Sequence, residues 1–92
     1  MKLRPAVVLA DSGRNDWVLC QITSHPYADP IAVEIATSDL ADGSLRKISY
    51  ARPGKLFTAN SGIMTNQIGT LKSEKQQEII GAIIALLEKT VI

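Results

Sequence analysis

Ninety-two residues with 46% hydrophobic and 21% charged side chains and a formal net charge of +1 describe one soluble globular domain over residues 1–92, too small for a second core. That balance excludes a disordered tail and any broad electrostatic pull on nucleic acid, so contact with RNA or DNA must come from a local cluster of Lys and Arg. No apolar run approaches the roughly 20 residues of a membrane span, no signal peptide is recognisable, and a single cysteine suits a reducing cytoplasm.

The first predicted strand is Leu3 to Leu9, an apolar β-branched run with Arg4 at its head. Pro5 lacks an N–H and holds Arg4 extended, so that charge belongs at a strand start or bulge. Asp11 to Asp16 reads as a hairpin loop of residues that bond their own backbone or tolerate positive φ. Asp16 to Ser24 follows as a strand with Val18, Cys20 and Ile22 on one face and Trp17, Leu19, Gln21 and Thr23 on the other. Cys20 is expected to be buried and inert, and Trp17 half-buried. If the two runs are antiparallel neighbours, Arg4, Thr23, Ser24 and His25 share one rim.

His25 to Pro30 is predicted as a loop, and Ile31 to Ile35 as a half-buried strand with Ile31, Val33 and Ile35 inward. Thr37 to Gly43 predicts a single helical or 3₁₀ turn. Ser49 to Phe57 is predicted as a strand bulged at Pro53-Gly54 and anchored by Tyr50, Leu56 and Phe57. Asn60-Ser61-Gly62 is a turn, and Gln67 to Leu71 a short last strand. Ser73, with Gln76 three residues on, reads as the capping box of a helix with an apolar stripe of Ile79, Ile80, Ile83, Ile84, Leu86 and Leu87. A face that wide also allows a dimer contact. Short strands followed by one amphipathic helix point to a small, mainly β, α+β fold: an SH3-like barrel closed by a C-terminal helix.

The order of RPAVVL, a turn, and a strand ending in ITS resembles the MazF/PemK family of toxin endoribonucleases. So do Asp39-Leu40-Ala41-Asp42-Gly43-Ser44-Leu45, Ser49-Tyr50-Ala51-Arg52-Pro53-Gly54-Lys55-Leu56-Phe57-Thr58 and Ile68-Gly69-Thr70-Leu71. The resemblance implies the MazF/PemK/CcdB-like barrel, metal-independent cleavage of single-stranded RNA without a cofactor, a cognate antitoxin, a homodimer, and DNA binding through the antitoxin complex. It also implies Arg4 as the main catalytic residue and Thr23 as its partner. The family pattern opens with a further strand before the RP motif, whereas this chain begins almost at Arg4. An unpaired strand edge follows from that, to be covered by a neighbouring subunit or the chain's own terminus.

Cleaving RNA in this way needs a group that draws the 2′-hydroxyl proton, a cation for the phosphate and a proton for the leaving oxygen. A guanidinium at Arg4 stays charged and grips two phosphate oxygens; the competing reading pairs it with Asp11, Asp16 or Glu34. The Thr23 hydroxyl suits a phosphate oxygen or the 2′-hydroxyl, although strand threonines are ordinary. Ser24 is a weaker form of the same reading. His25 titrates near neutrality when unperturbed, and is equally a solvated loop histidine. Arg46, Lys47, Arg52, Tyr27 and Tyr50 could add phosphate and stacking contacts, or form a solvated loop and core tyrosines. No His, Cys, Asp or Glu cluster has metal-ligand spacing. A member that only binds its antitoxin is the alternative to an enzyme. The gyrase poison of the same barrel fold is disfavoured, because its C-terminal Trp-Gly-Ile is absent from Lys89-Thr90-Val91-Ile92.

Overall fold

The computed structural model describes residues 5–26, 28–64 and 66–89. Strands β1 (Ala6–Gly13) and β2 (Asp16–Thr23) form a hairpin whose turn is only Arg14 and Asn15, both at positive φ (54° and 65°). Two left-handed residues in succession make the turn whose twist matches the flanking strands, so the predicted six-residue loop tightens and β1 runs on to Gly13. Strand β5 (Ser49–Asn60) lies against β2, and β3 (Val33–Ile35) against β5, giving an antiparallel sheet of order β1-β2-β5-β3. A separate ribbon pairs β4 (Leu40–Gly43) with β6 (Gly69–Leu71), and helix α1 (Ser73–Leu87) closes one face. The curled sheet and ribbon make the expected barrel as an open half-barrel.

The bulge expected at Pro53-Gly54 is present. Cys20 pairs with Leu56 and Ile22 with Ala51, so residues 52–55 of β5 bow out of the ladder. The missing N–H of proline explains the place, since a proline cannot serve a central strand on both edges. Pro53 turns into the core. The anchors differ from expectation: Leu56 and Phe57 are exposed, while Ser49, Ala51, Pro53 and Ala59 are the buried residues of β5.

Ile22, Ala51 and Val33 lie side by side across β2, β5 and β3. With Val7, Cys20, Ile35, Ile79 and Ile83 around them they build the core. Helix α1 buries only Ile79 and Ile83 of its six-residue stripe, and Ile84 and Leu87 face outward at 50% and 69% exposure. Those two buried isoleucines contribute about 3–6 kcal/mol. The capping box is also corrected, because the N-cap is Lys72, without a side-chain cap bond. Its backbone does the work instead: the Lys72 N–H donates to the Asp39 carbonyl at 2.8 Å, and the Lys72 carbonyl accepts from Gln76 N–H at 3.0 Å. The 3₁₀ turn appears at Thr37–Asp39, but Leu40–Gly43 continues as a strand. Gly43, at φ 81°, lies so close to Gly69 that a Cβ would meet the Ile68 carbonyl oxygen and, at 2.6 Å, the Gly69 Cα. Only glycine permits that approach.

Candidate functional site

The antiparallel ladder decides what reaches the rim. Ala6 pairs with Gln21, and the Ile22 N–H donates to the Pro5 carbonyl at 3.3 Å, so the start of β1 lies beside the end of β2. Thr23 in turn pairs with Tyr50, and Tyr50 with Glu34. Residues directly opposite share a face, so Thr23, Tyr50 and Glu34 form a row across three strands on the side away from the core. Arg52, two residues on from Tyr50, keeps to that side. Arg4 and Tyr27 lie outside the described residues.

Thr23 is half-buried, and Ser24 and His25 are exposed. The Thr23 hydroxyl accepts from the His25 N–H and donates to the His25 carbonyl, both at 3.1 Å. That local turn fixes Thr23 and swings the His25 backbone off the strand axis. A hydroxyl has two acceptor lone pairs, so one remains for an incoming donor.

Arg52 is held by Asp29 of the loop between β2 and β3. Its Nε donates to Asp29 Oδ2 at 3.0 Å, while Asp29 Oδ1 accepts from the Ile31 N–H at 3.1 Å. The pair is partly buried, at 21% and 12% side-chain exposure. The Arg52 hydrogen bond, then the Ile31 amide, hold the Asp29 carboxyl below the usual carboxylate range. The Arg52 carbonyl accepts from Cys20 Sγ at 3.2 Å, which ties the bulge to the core. Burial pushes the Cys20 thiol up, against that bond, so Cys20 is buried and inert as expected.

Arg46 and Lys47 are exposed in the segment that enters β5 at Ser49, at the same end of the sheet as Thr23. Among the described residues no three His, Cys, Asp or Glu side chains are grouped to hold a metal ion, and no helix is long and apolar enough to cross a membrane. Thr23, Ser24 and His25 are brought to one rim, with Arg52 above them on the same face. Sequence reasoning missed Asp29 as the partner of Arg52, and the alignment of Glu34 and Tyr50 with Thr23. Glu34 was legible as an outward strand residue and as a candidate ion-pair partner of Arg4, not as a neighbour of Thr23.

A family model described as PemK-like, MazF-like toxin of type II toxin-antitoxin system matches residues 1–87. Among solved structures, the Mycobacterium tuberculosis toxin MazF-mt6 superposes with a TM-score of 0.75 at 17% identity, over 96% of this chain and 89% of that one. A crystal structure of an Mtb toxin gives 0.73 at 17% identity, over 89% and 90%. No curated protein sequence matches. At that identity the likeness carries the fold.

Proposed function

The chain belongs to the PemK-like, MazF-like toxins of type II toxin–antitoxin systems, and from that premise we propose that it is a cytoplasmic, metal-independent endoribonuclease that cuts single-stranded mRNA and so stops translation. The observation that carries the reading is the ladder joining the start of β1 to the end of β2, with Pro5 bonded to Ile22 and Thr23 next in line. Arg4, covalently the neighbour of Pro5, supplies the permanent cation that stabilises charge on the pentacoordinate phosphate. The remaining lone pair of Thr23 orients the ribose 2′-hydroxyl, whose proton passes to water as its oxygen bonds to phosphorus; the P–O5′ bond breaks and the departing 5′-oxygen takes a proton from water. Ser24, His25, Arg46 and Arg52 bind the strand on either side. Products of such a step are a 2′,3′-cyclic phosphate and a 5′-hydroxyl end. A homodimer held inactive by a cognate antitoxin, and bound to DNA through it, completes the proposal.

Incubation of the purified protein with long single-stranded RNA in chelator tests this. Discrete fragments are expected, reduced about 10²–10³-fold by Arg4→Ala and less by Thr23→Val. Intact RNA with a folded protein would leave the non-catalytic, antitoxin-binding reading in its place.

A further inference from the structure

Every polar atom of Asp29 has a partner. Its N–H donates to the Pro26 carbonyl at 2.9 Å and its carbonyl accepts from the Ala32 N–H at 3.3 Å. Oδ1 takes the Ile31 N–H, and Oδ2 the Nε–H of Arg52. The bond to Pro26 closes a turn whose third residue, Ala28, sits at φ 57°, a left-handed backbone that an alanine adopts only where its surroundings impose it. The carboxylate therefore stands at a point set by the backbone, and whatever it grips is fixed with it.

Arg52 is anchored from the other direction. Its carbonyl takes the Cys20 thiol, and Pro53 follows it into the core. An arginine that closes on a phosphate from solution gives up the freedom of a long side chain as it binds; Asp29 removes that freedom beforehand. Nε lies on the stem side of the guanidinium, so a bond there sets the plane of the fork and the direction of its terminal nitrogens. The carboxylate does not cancel the positive field. Lys55, at the far end of the same bulge, lies close enough for its charge to reach Asp29, so two cations stand against one anion. Arg52 is two strand positions, about 6.6 Å, beyond Tyr50, which pairs with Thr23. A cation held there stands roughly one nucleotide along from the Thr23 hydroxyl.

We infer that Asp29 is a positioning residue for RNA binding: it presents the Arg52 guanidinium to the backbone phosphate next to the scissile one. That role takes its ligand from the endoribonuclease reading and goes beyond it in assigning a carboxylate to the binding of a polyanion. Two plainer roles predict something else. If Asp29 contributed only negative charge, removing it would tighten RNA binding. If it only braced the loop between β2 and β3, removing it would weaken binding whether or not Arg52 were present. Positioning predicts a loss that exists only through Arg52.

The test is equilibrium binding of a short, mixed-sequence 2′-fluoro RNA, which has no hydroxyl to attack with, to the full chain over a range of salt. Wild type, Asp29→Asn, Arg52→Gln and the double variant are compared at a temperature where each melting curve reports a folded protein. Asp29→Asn is expected to weaken binding about fivefold and to make the fall of log affinity with log salt shallower by up to about 0.7. In the Arg52→Gln background the same change should do nothing. Asp29→Glu keeps the charge, moves the carboxylate by one methylene and should fall between wild type and Asp29→Asn; it carries the test should Asp29→Asn not fold. Binding as tight as wild type or tighter would overturn the inference and leave the nuclease reading standing, and so would an equal loss in both backgrounds. A wild type that binds no RNA would overturn both.

Discussion

Replacing Asp29 by Asn keeps shape and removes charge at the ion pair that Arg52 makes beside the rim. The Asn carbonyl still accepts from Ile31, so the change isolates the bond to Arg52. Hydrogen bonds to charged groups contribute about 1.5–3 kcal/mol; with both side chains partly exposed, roughly 1–2 kcal/mol remains after screening. For a domain this size the expected loss in melting temperature is roughly 5–15 °C. The pH dependence has a definite sign. Arg52 holds the Asp29 pKa below its ordinary value, so the folded state binds fewer protons there than the unfolded chain. That stability is present above the unfolded carboxylate value and is lost as pH falls through the folded one. Urea unfolding of wild type and Asp29→Asn at pH 7 and at pH 3 should give a gap that narrows in acid. A gap of the same size at both, or none at pH 7, would refute the reasoning. Asp29→Ala, which also strands the Ile31 amide, should lose about 1 kcal/mol more at pH 7.

Gly43→Ala forces a positive φ on a residue with a Cβ aimed at the Ile68 carbonyl, and should destabilise the fold by about 2–4 kcal/mol in urea unfolding. Ile79→Ala empties a fully buried position for about 2–5 kcal/mol, whereas Ile84→Ser on the outer face should stay within about 0.5 kcal/mol, both by the same assay. Arg14→Asn with Asn15→Gly places the preferred pair at the two left-handed turn positions, and should raise stability by about 0.5–1 kcal/mol, read as an upward shift in melting temperature.

What was legible before any coordinates were the features that a few consecutive residues decide. The end of β2 lies beside the start of β1, as two consecutive hydrophobic runs joined by a tight turn require, and the β5 bulge sits where proline removes a donor. What escaped depends on partners far away in sequence. Leu40–Gly43 looks like a terminating helical turn because Asp42-Gly43 is a common stop signal, yet Gly43 serves a close crossing with Gly69 that no local window contains. The N-cap moved from Ser73 to Lys72 for a similar reason: the Asp39 carbonyl already takes the Lys72 amide.

The same distinction governs the site. Register across β3, β5 and β2 aligns Glu34, Tyr50 and Thr23, and a slip of one residue would send that row to the core face. Nothing within Ile31 to Ile35 specifies the register; the core specifies it, by requiring Ile22, Ala51 and Val33 to meet. The rim geometry is thus a consequence of packing on the opposite face. Truncating Ala51's neighbours, as in Val33→Ala, would disturb the site from behind without touching any residue proposed to meet RNA.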